Sequence, residues 1–483
     1  MTNLHPTRHT GGAFIFINPQ LTNYIVCIII QTMEKIMNTN NTIVAISTPL
    51  SSGAISIVRM SGDDAINIAD KVFVGKTGKT PSSFTPRMLT LGTFNAVDFK
   101  EQALCVVFKN PNSFTGEDMV EFQCHGGVLI TKGILASCVK NGARLATAGE
   151  FTKRAFMNGK MALADAEGMM DMINAQSDAE IRAGFNLLSG ELSKTAFKAQ
   201  EELTDILAEI EVSFDYPEET IEYITKSNAK ERLVDLYNKI EKVLASSSTG
   251  KMIRDGVNVV ILGKPNVGKS SLLNALIKDE KAIVTPIAGT TRDIIEGTLS
   301  INGLRFNLYD TAGIHETDDQ VEKIGVDKAK NTIASADIIL FVKDSEEDTA
   351  EDLEIKNLLK DRKHIIIINK SDKTGNFSTE ENTLRVSALE NKNVDKLADK
   401  LYELASENKE MSGGLILANQ RHIDALTRAN GHLLDAISSM EAFSLDIVTI
   451  DINLAYSALG EITGNTTNEE ILDAIFSKFC LGK

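Results

Sequence analysis

Cysteine is scarce in this chain. Five cysteines (27, 105, 124, 138 and 480) among 483 residues form no C-x-x-C pair and stand at no histidine spacing typical of zinc. Neither a disulfide framework nor a structural metal is indicated, and the pattern fits a reducing, cytoplasmic setting. Positive charge is also short: 66 acidic against 50 basic residues give a formal net charge of −16. The whole-chain field therefore repels phosphates, and a nucleic-acid partner cannot be read from charge. Long hydrophobic runs are missing too. The apolar stretch 24–30 falls far short of a membrane span, and no clean small-residue cleavage site follows it. No membrane partner is expected. Residues 1–36 are expected to be a disordered or artefactual extension, with a cryptic signal peptide as the alternative. A coherent strand pattern begins only at Thr42-Ile43-Val44-Ala45-Ile46, just after Met33 and Met37.

What is present begins with Gly263-Lys264-Pro265-Asn266-Val267-Gly268-Lys269-Ser270. The apolar run 257–262 leads in as a buried strand, and Ser271-Leu272-Leu273-Asn274-Ala275-Leu276 leads out as a helix. Glycines at this spacing let backbone N–H groups close around a polyphosphate, Lys269 reaches its outer oxygens, and the Ser270 hydroxyl can ligate Mg²⁺. Downstream, Asp310-Thr311-Ala312-Gly313 follows the strand-like stretch 305–309. An Asp there contacts Mg²⁺ through water and a Gly N–H meets the γ-phosphate. Asn369-Lys370-Ser371-Asp372 follows the run 365–368. The Asp372 carboxylate can accept from the N–H and NH₂ edge of guanine, a donor pair adenine lacks, so the nucleotide is expected to be GTP. Ser387-Ala388-Leu389, after another short strand, would back the guanine carbonyl.

With 43% hydrophobic and 24% charged residues, the chain suits about three domains. From about 40 to 157, short β-rich runs (55–58, 104–108) alternate with helical ones (63–72) in a compact α/β pattern, with a loop at 111–118. Beyond Gly159, stripes such as Leu163, Ala166, Met170, Ile173 and Leu203, Ile206, Leu207, Ile210 recur at helical spacing and read as core. Ser246-Ser247-Ser248-Thr249-Gly250 reads as a junction, the nucleotide domain spans about 254–405, and helical periodicity resumes near Leu417. Two arrangements fit: a nucleotide domain inserted into one helical domain, or two independent bundles.

The nucleotide site lacks ordinary parts. Ile314 stands after the switch glycine, where many GTPases carry a Gln that orients water, and no arginine finger is evident. A finger contributes about 10³ to 10⁵ in rate, so a substitute charge is required. A monovalent cation held by the Asn266 side-chain carbonyl and nearby backbone carbonyls could supply it, and the acidic segment 316–322 offers groups to position water. Thr285-Pro286-Ile287-Ala288-Gly289-Thr290-Thr291-Arg292-Asp293 reads as the first switch, with Thr290 or Thr291 able to reach Mg²⁺.

These motifs, with Pro111-Asn112-Ser113-Phe114-Thr115-Gly116-Glu117-Asp118, Gly149-Glu150-Phe151 and the closing Cys480-Leu481-Gly482-Lys483, give the chain a close resemblance, from Thr42 onward, to the MnmE (TrmE) family of tRNA modification GTPases. The resemblance implies a multidomain α/β plus all-α fold: a P-loop Ras-like GTPase domain inserted into a helical domain, preceded by an α/β folate-binding domain. In its terms the domains are 37–157 (folate binding and dimerisation), 158–253 and 406–483 (helical) and 254–405 (GTPase). It implies a homodimer whose GTPase domains meet on K⁺ and GTP, and a heterotetramer with the FAD-dependent MnmG subunit. The implied product is a 5-carboxymethylaminomethyl-type group on the wobble uridine (position 34) of certain tRNAs, its carbon drawn from 5-formyl- or methylene-tetrahydrofolate.

Residue by residue, the resemblance assigns K⁺ to Asn266, Thr285, Ile287 and Thr290, and Mg²⁺ to Ser270 and Thr291. GTP would further contact Val267, Gly268, Lys269, Ser271, Pro286, Ala288, Gly289, Asp310, Thr311, Ala312, Gly313, Asn369, Lys370, Ser371, Asp372, Ser387 and Ala388. Glu322 would orient the hydrolytic water, with Arg292, Asp293 and Cys480 as further catalytic candidates. Arg59, Glu121, Lys160 and Lys483 match folate-contacting positions, and Glu121 can receive a pterin N–H and NH₂ edge as Asp372 receives guanine's. Cys480 either acts in the modification or packs near the folate. Ala148 stands where the family commonly has Pro, and Cys124 where a Gly is usual; His125 reads as structural. The competing functions are a regulatory or ribosome-assembly GTPase without modification chemistry, and a folate-binding transferase whose nucleotide domain is only a switch.

Overall fold

The computed structural model describes residues 42–215, 219–278, 297–310, 336–360, 362–372, 382–406 and 415–482. Among the described residues, 42–160 together with 474–482 form one compact unit, and those between 161 and 473 form another.

The first unit is built on β1 (Ile43–Ile46), β2 (Ile55–Ser61), α1 (Ala65–Val72), β3 (Phe73–Gly75), β4 (Thr90–Asn95), β5 (Lys100–Phe108), β6 (Met119–His125), α2 (Val128–Lys140), β7 (Arg144–Leu145) and α3 (Glu150–Met157). The strands make one sheet in the order β3-β4-β5-β6-β2-β1-β7. Strand alternation puts Val58, Met60, Val120 and Phe122 on the face covered by α1 and α2. Arg59 and Glu121 therefore share the other face, directly opposite each other in the β2–β6 register. The C-terminal tail belongs to this unit. Phe476 buries its ring beside Phe156, and Phe479 packs on Phe476; a Cβ on Gly149 would lie 2.2 Å from the Phe476 carbonyl oxygen, which restricts that position to glycine.

The second unit begins with α4 (Leu163–Asn174), α5 (Asp178–Leu188), α6 (Glu191–Asp215), α7 (Glu219–Leu244) and α8 (Ser247–Asp255). An α/β segment follows: β8 (Val257–Leu262), α9 (Lys269–Lys278), β9 (Gly297–Ile301), β10 (Leu304–Asp310), β11 (Ile338–Lys343), α10 (Ala350–Leu359), β12 (His364–Ile368), β13 (Thr383–Arg385) and α11 (Val394–Ser406). Then come α12 (Gln420–Ala442), α13 (Leu445–Thr463) and α14 (Glu469–Phe476), whose last turn opens the tail.

One apolar core contains Leu203, Ile206 and Ile210 of α6, Leu233 and Ile240 of α7, Leu426 and Leu433 of α12, and Ile452 and Leu459 of α13. The helices on either side of the α/β segment thus bury one another's stripes, which excludes two independent bundles. The stretch 246–250, read as a junction, is helical from Ser247 on as the start of α8, where a Cβ on Gly250 would fall 1.8 Å from the Leu417 carbonyl oxygen; the glycine serves close backbone packing. One detail of the sequence reading changes. Ile173 is 42% exposed, because the buried stripe of α4 runs through Leu163, Ala164, Ala166 and Gly168 instead.

In the α/β segment the strand order is β13-β12-β11-β8-β10-β9, parallel throughout except for β9. The mostly apolar β8, β11 and β12, broken only by Asn258 in β8 and by Lys343 and His364 at strand ends, suit strands covered on both faces. β8 lies between β10 and β11, so the loop that leaves its carboxyl end opens where ligands bind in such sheets.

Candidate functional site: a phosphate loop, a guanine-side loop and a sheet-borne ion pair

The loop after β8 is held open by backbone geometry. Gly263 (φ +152°) passes so close to β11 that a Cβ would lie 2.2 Å from the Val342 carbonyl oxygen. A Cβ on Gly268 (φ +96°) would meet the Asn369 amide nitrogen at 2.2 Å. Asn266 takes a left-handed φ of +64°, which Asn tolerates better than most residues. Lys269 is buried, its ammonium donating to the carbonyls of Gly263 (2.8 Å) and Lys264 (2.9 Å), so it arches over the loop. Ser270 and Ser271 follow in the first turn of α9, where backbone N–H groups and the helix dipole favour an anion.

The guanine-side residues are tied to this loop. Asn369, buried, donates to the Val267 carbonyl at 2.9 Å and accepts from the Ala388 N–H at 3.1 Å. Lys370 (φ +60°) donates to the Asn266 carbonyl at 2.9 Å and pairs with Asp344 at 3.0 Å. The Ser387 hydroxyl donates to Asp372 at 2.8 Å, and the Ser371 N–H bonds the Val386 carbonyl at 3.1 Å. The motifs predicted from sequence at 263–271, 369–372 and 387–388 thus meet at the carboxyl ends of β8, β12 and β13. Asp310 ends β10, aligned with Ile261 of β8. Thr285, Pro286, Ile287, Ala288, Gly289, Thr290, Thr291, Arg292, Asp293, Thr311, Ala312, Gly313, Ile314 and Glu322 lie outside the described residues, as does Lys483.

Sequence reasoning missed how β10, the strand leading to Asp310, is gripped by the helical part. Arg305 donates to Gln176 (2.6 Å) and lies 3.4 Å from Glu180 of α5, while the Ala179 N–H bonds the Gly303 carbonyl at 2.9 Å. Beside this grip lies a cavity of about 210 Å³ lined by Asp171, Arg254, Arg305 and His422, among others. Glu167, next to it, accepts from Arg421 and, at 2.7 Å, pairs with His422. Burial alone would raise the Glu167 pKa, but the hydrogen bonds and charges of His422 and Arg421 outweigh it and hold it at about 2. Asp171, exposed by surface area but set in the cavity wall, is pushed the other way, above its ordinary value, by partial loss of solvent there and by the Glu167 charge. No local pattern marks these residues, since their partners come from opposite ends of the unit.

On the first unit, Arg59 Nε lies 2.7 Å from Glu121 Oε1, and Arg59 Nη1 lies 3.4 Å from the Gly482 carbonyl. The guanidinium stands over the rings of Phe114 (5.5 Å) and Phe151 (5.9 Å). Gly482 (φ +86°) packs so tightly that a Cβ would come within 2.4 Å of the Ile46 carbonyl oxygen, and the Ser47 hydroxyl donates to its carbonyl at 3.3 Å. The 111–118 loop joins the same surface: Lys160 donates to the Pro111 carbonyl at 2.8 Å, and Asn158 to the Thr115 carbonyl at 2.7 Å. The loop is braced by Glu117, which accepts from Ser61 (2.8 Å) and Arg154 (3.0 Å). Glu150 pairs with Arg154 and Arg144. Burial raises its pKa, yet Arg144, the Thr147 N–H and Arg154 bring it down to about 2. Glu117 and Glu150 entered the sequence reading only as parts of the 111–118 and 149–151 motifs, and their arginine partners Arg144 and Arg154 not at all; an acid following a glycine at a helix start was the available signal.

Cys480 is exposed, and its carbonyl accepts from the Gly149 N–H at 3.5 Å. Cys105, Cys124 and Cys138 are buried, with the Cys138 thiol pushed up to about 12 by burial, so they are inert packing. His125 is an exposed ring paired with Glu101. Among the described residues no helix is long and apolar enough to cross a membrane.

A phosphate loop on a buried parallel strand, joined through Asn369 to an Asn-Lys-x-Asp loop, defines a P-loop GTPase, a hydrolase acting on GTP. A family model described as "GTP-binding protein TrmE N-terminus" matches residues 42–160, and one described as "MnmE helical domain" matches residues 163–480. A tRNA modification GTPase MnmE of Alkaliphilus metalliredigens (strain QYMF) is 42% identical over 92% of this chain and 99% of its own length. The protein of the same name from Clostridioides difficile (strain 630) is 41% identical over 92% of this chain and 99% of its own. The chain belongs to the MnmE family of tRNA modification GTPases. Among solved structures, the G domain of T. maritima FeoB is 26% identical over 31% of this chain and 98% of its own, at a TM-score of 0.24 that carries no argument.

Proposed function

We propose that GTP hydrolysis in this chain drives addition of an aminomethyl-type group to C5 of the wobble uridine in certain tRNAs. The work is done as a homodimer with an FAD-dependent MnmG-type partner, with tetrahydrofolate as the carbon source. The observation that carries this reading is the Gly482 carbonyl at 3.4 Å from Arg59, which itself holds Glu121. It seats the tail beside a carboxylate suited to a pterin edge. Glu121 keeps lone pairs beyond the one used by Arg59, whose guanidinium lies over half-buried Phe114 and fully buried Phe151, so the carboxylate fits a heterocycle with an N–H and NH₂ edge. Arg59, Lys160 and Lys483 would meet its anionic tail or its one-carbon end. Bound folate would supply the carbon, and Cys480, exposed on the same tail, is the candidate nucleophile.

At the nucleotide, Lys269 would neutralise the outer phosphates, Ser270 with Thr291 would hold Mg²⁺, and Asp372 would select guanine. Asn266, Thr285, Ile287 and Thr290 would hold K⁺, which supplies the positive charge an arginine finger supplies elsewhere. Glu322 would orient water in place of the absent Gln, and Arg292 and Asp293 of the first switch are further catalytic candidates.

The test is nucleoside analysis of tRNA from cells lacking the chain and from cells carrying Glu121→Gln or Asp372→Asn. Loss of the modified wobble uridine in all three is expected; an unaltered profile in the deletion rejects the reading. Turnover of GTP in K⁺ and Na⁺ at equal ionic strength tests the cation separately. Equal rates, or K⁺ stimulation surviving Asn266→Ala, would remove it.

A further inference from the structure

On the outer side of the helical bundle, three side chains suited to a metal converge. His432 and Asp435 stand three residues apart on α12, and Asp451 approaches from α13. One imidazole nitrogen and one carboxylate oxygen from each aspartate all lie within 4.8 Å of one another. The i, i+3 spacing puts the first two on one face of α12. The helices beneath are locked together by Ala429, Leu433 and Ala436 against Ile452, Ala455 and Leu459, so the scaffold is rigid where the ligands leave it.

The cluster is short of positive charge. Among the described residues, none of the three makes a side-chain hydrogen bond or an ion pair. Elsewhere on the same helix, Arg421 pairs with Glu167 and Arg428 with Glu461. Two carboxylates this close repel, and a cation between them relieves that repulsion. The donor set names the cation's class. One imidazole nitrogen with two carboxylate oxygens suits Zn²⁺ and its divalent transition-metal neighbours, whereas Ca²⁺ needs 6–8 oxygens and Mg²⁺ seeks an octahedral shell of oxygens. Zinc–ligand bonds of about 2.0–2.2 Å would draw the three atoms to about 3.4 Å apart, within reach of side-chain rotation on half-exposed residues. Three protein ligands leave at least one coordination position for water or an outside donor.

We propose that His432, Asp435 and Asp451 form a divalent transition-metal site of the zinc class that clamps α12 to α13. The site is independent of the nucleotide and of Mg²⁺.

The test is Zn²⁺ titration of the full-length, chelator-treated protein against a competing chromophoric chelator, with Co²⁺ as a spectroscopic probe. One equivalent per chain is expected, with Co²⁺ d–d absorption and no thiolate charge-transfer band, and Zn²⁺ should raise the Tm. His432→Ala should weaken that equivalent by about a hundredfold or more, and Asp435→Asn and Asp451→Asn by about tenfold or more. All three should keep Mg²⁺-dependent GTP turnover and lose the Zn²⁺-induced rise in Tm. Should His432→Ala fail to fold, the exposed Asp435→Asn variant carries the test alone. An unchanged Zn²⁺ equivalent in the variants, a thiolate band that vanishes in Cys480→Ala, or no binding at micromolar Zn²⁺ would each overturn the proposal.

Discussion

The Asn369 side-chain amide donates to the Val267 carbonyl at 2.9 Å, and its own carbonyl accepts from the Ala388 N–H at 3.1 Å. One buried side chain thus links the loop that would hold the phosphates to both loops that would hold the base.

Replacing it tests that link. Asn369→Ala leaves the Val267 carbonyl and the Ala388 N–H without these partners in a buried setting, a loss of about 1–3 kcal/mol for each unsatisfied group. GTP affinity, read by titration with a fluorescent analogue, should fall about tenfold or more. Unchanged affinity would show that the loops hold their places without the amide.

Base selection should follow Asp372. Its carboxylate is steadied by the Ser387 hydroxyl at 2.8 Å. Asp372→Asn exchanges an acceptor for a donor and should lower the preference for GTP over xanthosine triphosphate by about a hundredfold or more in competition binding. A base preference that does not move contradicts the assignment.

Acid should loosen the helical part through Glu167. Burial raises its pKa, but His422 and Arg421 hold it at about 2, below the ordinary glutamate value of about 4.3. A depressed carboxylate contributes stability that is complete above its unfolded pKa and is lost as pH falls through the folded one. The window is therefore about pH 5 down to pH 2, and the contribution is on the order of 3 kcal/mol. Denaturant melts across this range should slope more steeply for the wild type than for Glu167→Gln. Parallel slopes would assign the acid sensitivity elsewhere.

The single bundle makes a prediction at Gly250. A Cβ there would lie 1.8 Å from the Leu417 carbonyl oxygen, so Gly250→Ala must push apart chain segments on either side of the nucleotide domain. Destabilisation of about 2 kcal/mol or more is expected, seen as a Tm lower by about 4 °C or more. A Tm within a degree of the wild type would mean that the two segments pack loosely.

Much of the nucleotide domain was legible because phosphate chemistry is written locally. Gly263, Asn266, Gly268, Lys269 and Ser270 act within a few residues of one another, and the runs 257–262 and 365–368 announce buried strands by composition alone. Composition marks 246–250 as a junction but does not show that it is helical from Ser247 on, because Gly250 is small for a distant reason: Leu417, far along the chain, passes against it. Ile173 fits a helical stripe by spacing, but the neighbours of α4 cover a face centred on Leu163 and Ala166.

By itself, the sequence determined the phosphate loop, the Asn-Lys-Ser-Asp loop and the family. Each of these depends on residue types at short, fixed spacings. Tertiary structure alone decided that the helices around the nucleotide domain share one core, that Glu167 meets Arg421 and His422, that Gly482 meets Arg59, and that Asp451 faces His432 and Asp435. Contacts between residues far apart in the chain follow from which apolar faces bury one another, and no local pattern encodes that choice.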